Sequence, residues 1–165
     1  MKIREIIVSD ADKFALLTKQ IEESSQYMLM EAEERKIDSE QQAKKIEALK
    51  KSENSTILVA EKENQLVGFL AAIGGSAKRN KHSVYIVVGI VDCYRGQGIG
   101  TMLFMELERW AKEHSIHRLE LTVVTQNEAA LSLYKKQGFE VEGLKRNALL
   151  IAGEYVDEYY MSKLI

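Results

Sequence analysis

Val91-Asp92-Cys93-Tyr94-Arg95-Gly96-Gln97-Gly98-Ile99-Gly100-Thr101 stands between two apolar segments of different period. Upstream, Val84 to Val91 is apolar almost throughout, which predicts a central strand covered on both faces. Downstream, Ile99, Met102, Leu103, Leu107, Trp110 and Ala111 fall on one stripe of a helix. Three alternate glycines therefore join the end of a strand to the start of a helix. Glycine lets the backbone approach a ligand closely and take positive φ. The first N–H groups of a helix have no internal partner, and the helix dipole makes that end positive. A turn of this kind suits a phosphate group. Glycines at 96, 98 and 100 do not fit the G-x-G-x-x-G dinucleotide fingerprint, and no Gly-Lys-Ser/Thr follows for a P-loop. On spacing alone, the turn reads equally well as a tight strand-to-helix connection without a ligand.

Outward from the turn, Leu119 to Val124 predicts a strand, Asn127 to Gln137 a helix, and Phe139 to Leu144 and Tyr155 to Leu164 two closing strands. On the N-terminal side, Ile3 to Val8 predicts the first strand. Ser9-x-x-Asp12 resembles a capping box for a helix whose face is Phe14, Leu17 and Ile21, with Thr18 interrupting the stripe. Ser39-x-x-Gln42 is a second cap signal, ahead of a face made by Ala43, Ile46 and Leu49. Thr56 to Glu61 and Leu66 to Ile73, joined by the polar residues 62–65, predict a hairpin. The order βααβββαβαββ implies an α/β (α+β) fold on a mixed sheet rather than a regular doubly wound one.

Length and composition narrow the function classes. A chain of 165 residues without Pro or a linker tract predicts one domain over 1–165. Twenty-three Lys+Arg against twenty-five Asp+Glu give a net charge of −2, which offers no field to hold a nucleic acid. A single Cys makes neither an internal disulfide nor a multi-cysteine metal site, and it fits a reducing, cytoplasmic setting. His114 and His117 lack metal-ligand spacing, so no metal is expected. The apolar run from Val84 to Val91 is far shorter than a membrane span, and no membrane partner is expected.

Arg95-x-x-Gly98-x-Gly100 after a strand resembles the acyl-CoA pyrophosphate loop of the GNAT superfamily of N-acyltransferases. Asn127-x-x-Ala130-x-x-Leu133-Tyr134-x-x-x-Gly138-Phe139 is similar to that superfamily's second motif, in the right order and one helix and one strand away. The resemblance implies a mostly antiparallel sheet flanked by about four helices, with a V-shaped splay between the two central strands. It implies acetyl-CoA as co-substrate, with Arg95, Gly96, Gln97, Gly98, Ile99, Gly100 and Thr101 around the pyrophosphate. Gln97 is able to donate from its side chain as well. Ile90 and Val91 would part from their neighbour through a bulge and pair with the pantetheine arm. The N–H near Ile90 would face the thioester oxygen. Asn127 would bond the pantetheine, and Tyr134 would lie near the sulfur.

The implied reaction is acetyl transfer to a primary amine of a small molecule or peptide, by direct attack in a ternary complex. Tyr134 is the candidate catalytic residue, since a phenol with an ordinary pKa of about 10 is protonated at neutral pH and can donate to a departing thiolate. Without the motif, Tyr134 reads as core on the face of Ala130 and Leu133. Many members of the superfamily carry a Glu on the central strand. Here Val84 to Val91 holds no acid, and Tyr85 is its one ionisable side chain. Asp92, His82, Glu31 and a water chain are the open alternatives for the base. Cys93 reads as a small apolar filler rather than a nucleophile. Tyr27, Met28 and Glu31, in an acid-rich segment running to Arg35, join Tyr85 as candidate acceptor contacts. The resemblance also implies a homodimer paired through C-terminal strands, for which the strand from Tyr155 to Leu164 is the expected edge. A non-catalytic acyl-CoA-binding module is the alternative reading, motivated by the missing strand carboxylate.

Overall fold

Residues that alternate between two faces need two covering layers, and here the helices supply them. The structure is a computed structural model that describes residues 1–31, 33, 34, 36 and 38–165. The elements run β1 (Lys2–Glu5), α1 (Ala11–Ser24), α2 (Ser39–Lys50), β2 (Thr56–Lys62), β3 (Gln65–Gly74), β4 (Ser83–Ile90), α3 (Ile99–Glu113), β5 (Arg118–Val124), α4 (Glu128–Lys136), β6 (Glu140–Ile151) and β7 (Glu154–Leu164). Short 3-10 turns occupy Val8–Asp10 and Asp92–Tyr94. The strands form one sheet in the order β1-β2-β3-β4-β5-β7-β6. β4 and β5 pair in parallel, and every other neighbouring pair is antiparallel. This is the mixed, mostly antiparallel sheet that the resemblance implies, but β7 lies between β5 and β6, so the strand from Tyr155 to Leu164 is interior and the expected edge falls to β6.

β2 shows how the layers are built. Leu58 and Val59 are adjacent, point to opposite faces and are both fully buried. Leu58 joins Leu70, Val84, Leu103, Phe104 and Leu107 under α3. Val59 joins Phe69, Phe14, Leu17, Ile21 and Ile46 under α1 and α2. Each large side chain buried this way stabilises the fold by about 1.5–3 kcal/mol. Thr18, which interrupts the apolar stripe of α1, is buried with its hydroxyl donating to the Ala15 carbonyl at 3.0 Å.

β4 departs from the expectation of a strand covered on both faces. Val84 and Ile86 are buried, whereas Tyr85 and Val87 are exposed. The helical layer on their side meets β4 at Gly89, where a Cβ would stand 2.9 Å from Phe69 and 3.1 Å from Ile21. A stretch of sheet that reads as interior is therefore partly open on one face among the described residues.

The helix starts also differ by a residue. Asp10, not Ser9, opens α1, and Asp38, not Ser39, caps α2 by accepting from the Gln41 N–H at 2.8 Å. β1 stops at Glu5 rather than Val8 because the chain turns there. Asp10 accepts from the Ile7 N–H at 2.9 Å and pairs bidentately with Arg4 at 2.7 and 2.9 Å. The turn of the β2–β3 hairpin is Glu63-Asn64, both at positive φ, the two-residue geometry that matches strand twist. A second tight turn, Ala152-Gly153, lets β6 run on to Ile151, well past the expected end at Leu144.

Arg4 also donates to Glu61 at 2.8 Å, so one guanidinium ties β1, β2 and the start of α1. Asp10 is 3% exposed, and the Arg4 hydrogen bonds hold its carboxyl below the ordinary value. Arg4→Met strands that carboxylate, and urea unfolding at pH 7 should register a loss of about 3 kcal/mol. A lowered folded pKa means the stabilisation is complete above the unfolded Asp value of about 3.9 and fades as pH falls through the folded value. The gap between wild type and variant should therefore close in acid.

Candidate active site

β4 and β5 begin together and then separate. Their ladder consists of Ser83↔Arg118, Val84↔Leu119 and Tyr85↔Glu120. Past that rung β4 continues to Ile90 paired with β3 alone, while β5 continues to Val124 paired with β7 alone. The result is the V-shaped splay, and it arises without the expected bulge. The β3–β4 register runs unbroken from Gly74↔Val84 to Gly68↔Ile90. The Val91 N–H donates to the Val67 carbonyl at 3.0 Å, so it is engaged by β3 and cannot serve a ligand as expected. Alternation then turns the N–H and C=O of Ile90 the other way, into the gap. In agreement, the Ile90 carbonyl accepts from Arg95 Nε at 3.2 Å.

The glycine turn closes the open end of the V. Gly98 is the N-cap of α3 at φ +80°, and a Cβ there would meet no atom within 4 Å. The Met102 N–H donates to the Gly98 carbonyl at 3.1 Å. The N–H groups of Ile99, Gly100 and Thr101 precede that bond and have no partner inside the helix. No acidic residue occupies the first turn. Gly96 is also at positive φ with open space around it. Gly100 acts differently, through packing. A Cβ there would stand 2.7 Å from Leu133, so its absence lets α3 and α4 approach.

The Gln97 side chain, expected as an additional donor to the ligand, and the Arg95 side chain are both turned onto the loop itself. Arg95 Nη1 stands 2.5 Å from Asp92 Oδ1, and Gln97 Nε2 donates to the Cys93 carbonyl at 3.1 Å. In this conformation they brace the loop rather than point from it. Asp92, one of the candidate bases, is thereby held by Arg95. His82, another, stands at the closed end of the V, where its carbonyl accepts from the His117 and Arg118 N–H groups. That places it away from the gap.

Asn127 caps α4, its side-chain oxygen accepting from the Ala130 N–H at 3.2 Å, which leaves the amide NH₂ to donate. Tyr134, on α4, is 7% exposed and packed edge-on against Phe104, with Phe139 beside it. No hydrogen-bond partner for its hydroxyl is found among the described residues. Burial first, and then the neighbouring Tyr85, push its pKa above the ordinary phenol value, so it stays protonated. A buried, protonated, unpartnered phenol is a donor held ready.

Tyr85 lies on the opposite face of β4 from Val84 and Ile86. It is 41% exposed, and its hydroxyl meets Thr122 Oγ1 at 2.8 Å, across the mouth of the V. Thr122 and Glu120 escape sequence reasoning, although their alternation with Leu119 and Leu121 signals a polar face of β5. Glu120 accepts from Arg118 Nε at 2.7 Å, and Glu142 takes the other end of that guanidinium. Tyr27 and Met28 are half-buried and Glu31 is exposed. Met28 packs on the core under α1 and α2, and no side-chain hydrogen bond or ion pair joins these three to the gap among the described residues. Ala32 and Arg35 of the same acid-rich segment lie outside the described residues. No cluster of three or more His, Cys, Asp or Glu with metal-site geometry occurs among the described residues. His114 stacks on Trp110, and His117 bonds the Ile165 carbonyl.

Gly98→Ala tests the cradle. A methyl at positive φ meets no neighbour but costs about 1–2 kcal/mol of backbone strain. Calorimetry should register weaker coenzyme A binding, with the melting temperature only modestly lowered.

Comparison with known proteins follows the same lines. The family model for the GNAT acetyltransferase family matches residues 20–139. The chain is 32% identical to the L-amino acid N-acetyltransferase AaaT of Escherichia coli over 111 residues, 65% of this chain and 67% of that protein. A GNAT-family acetyltransferase from Streptococcus pneumoniae superposes with a TM-score of 0.96 at 29% identity, over 99% of both chains. YncA of Salmonella typhimurium, solved with its cofactor acetyl-CoA, has the same fold with a TM-score of 0.87 at 19% identity, over 99% of this chain and 92% of that one. The parted strands, the glycine-capped helix and the matches over most of the sequence converge, and the chain belongs to the GNAT acetyltransferase family.

Proposed function

We propose that this acetyltransferase moves the acetyl group of acetyl-CoA to a primary amine of a small molecule or peptide, by direct attack in a ternary complex. The observation that carries the reading is Tyr134: a buried phenol with no hydrogen-bond partner among the described residues, in the cluster against which Val88 and Ile90 of the parted strand pack. The residues present fit coenzyme A. The open space at Gly96 and Gly98 admits a phosphate, and three helix N–H groups are free to bind it. Acetyl-CoA, when bound, supplies an activated acyl group with a thiolate leaving group.

The chain's own groups then divide the work. Ile99, Gly100 and Thr101 hold the diphosphate through backbone N–H groups, with the dipole of α3 behind them. The Arg95 and Gln97 side chains keep the loop in shape, so Gln97 does not add the side-chain contact that the resemblance allows. The free edge of β4, at Ile90 and Val88, offers backbone groups to an extended amide-bearing arm, as an added strand does. The Ile90 N–H faces the gap, placed to donate where a carbonyl oxygen gains charge. The Asn127 amide holds the arm from the other side. Tyr134 donates its proton to sulfur as the C–S bond breaks. The acceptor enters on the face of Tyr85 and Val87, with Tyr27, Met28 and Glu31 as further contacts. The single Cys suits a reducing cytoplasmic setting, and among the described residues no helix is long and apolar enough to cross a membrane.

Three measurements test the reading. Acetyl-CoA should raise the melting temperature by mass action. A panel of amino acids, peptides and polyamines should release free CoA thiol with at least one member; no release with any would defeat the proposal. Tyr134→Phe should lower kcat about a hundred-fold and leave coenzyme A affinity nearly unchanged. Because the phenol pKa is raised, kcat should show no alkaline loss from this group up to about pH 10, where an ordinary tyrosine ionises.

A further inference from the structure

β4 carries a second phenol whose surroundings are the reverse of Tyr134's. Tyr134 is dry and unpartnered, in the cluster that holds Val84, Ile86 and Phe104. Tyr85 leaves β4 on the other face, is partly open to solvent and has a partner, Thr122 Oγ1 at 2.8 Å. The bond does something the sheet does not. The backbone ladder between β4 and β5 ends at Tyr85↔Glu120, and Thr122 lies two residues further along β5. A side-chain bridge therefore spans the strands where the backbone has already parted.

The polarity of that bridge follows from its members. Either hydroxyl can donate in this pair, and because a phenol is a stronger donor than an aliphatic alcohol, the arrangement that points the Tyr85 proton at Thr122 is favoured. The Tyr85 oxygen is left with lone pairs facing the open side. It can accept a hydrogen bond there but not give one. Its other neighbours leave this role to it. Glu120 on the same rung is engaged by Arg118, whose guanidinium is also held by Glu142. Val87, exposed beside Tyr85, is apolar. An attacking amine needs this arrangement. Its N–H must be held by an acceptor while its lone pair points at the acyl carbon.

We propose that Tyr85 is the acceptor-binding residue that orients the attacking amine, its hydroxyl oxygen accepting from the amine N–H while Thr122, as positioning residue, holds its proton. The inference rests on the acetyltransferase reading and adds a division of labour. Tyr134 gives a proton to the departing sulfur on one face of the V, and on the other Tyr85 accepts a hydrogen bond from the attacking nitrogen, whose proton passes to solvent water as the C–N bond forms. Neither step requires the phenol of Tyr85 to ionise, and no proton is left on it.

The test uses the full chain with acetyl-CoA and four probe amines: L-methionine, L-methioninamide, spermidine and a short alanine-initiated peptide. For the probe that wild type acetylates fastest, Tyr85→Phe should lower kcat/KM about ten-fold or more, chiefly through KM, as loss of one hydrogen bond predicts. Coenzyme A affinity by calorimetry should change by less than about two-fold. Thr122→Val should shift kcat/KM in the same direction, and Thr122→Ser, which keeps the hydroxyl, should restore it. The double variant Tyr85→Phe/Thr122→Val should be no worse than Tyr85→Phe alone, since the two act as one unit. If Tyr85→Phe proves unstable, the Thr122→Val and Thr122→Ser pair gives the same readout. Unchanged acceptor kinetics in Tyr85→Phe, or equal loss of coenzyme A binding, would overturn the inference while the acetyltransferase reading stood. Absence of wild-type turnover with every probe would overturn both.

Discussion

The early end of one β-ladder controls this molecule. β4 and β5 share three residue pairs and then diverge, so a sheet that is continuous elsewhere has unpaired backbone at its centre. Unpaired N–H and C=O groups are costly when buried and dry. They persist here because the gap is open at one end and suited to receive an extended polar ligand. The rest of the fold holds that gap in place. α3 and α4 pack beneath it, and Gly100 against Leu133 sets how closely they approach. β3 holds β4 from one side through Val67, and β7 holds β5 from the other.

The two sides of the gap have opposite chemistry because the sheet alternates. Val84 and Ile86 lie with Phe104 and Tyr134 in a dry cluster, where burial keeps the phenol protonated. Tyr85 and Val87 emerge on the other face, where α1 meets the strand at Gly89. One strand thus has a dry face and a wetted face, which the proposed reaction assigns to the leaving group and the incoming amine. A full covering of helices on both faces would have removed the second.

The loop at the mouth illustrates division of labour between backbone and side chain. Arg95 and Gln97 stand where an anion-binding loop invites direct contact, yet both are folded onto Asp92, Ile90 and Cys93. In the proposed function, anion binding then falls to the N–H groups behind Gly98. Those groups do not titrate, and their direction is set by the helix they begin.

Much of this was written in residue spacing. The glycine turn, the stripe from Ile99 to Ala111, the hairpin and the element order follow from local period and turn chemistry. Those depend on neighbours a few residues away. Tyr134 was legible only through its motif, because a tyrosine between Leu133 and Lys135 on a helix face reads as packing. The caps were off by one residue, since Asp10 and Asp38 compete with Ser9 and Ser39 for the same role and the turn of the chain decides between them. The partly open face of β4, the bulge-free splay and the Tyr85–Thr122 bridge were not legible. An apolar run does not reveal which of its faces a distant helix will cover. A hydrogen bond between residues 37 positions apart exists only once two strands lie side by side. Local period determined the elements and the phosphate turn; the packing of layers decided which backbone stays unpaired and which phenol stays dry.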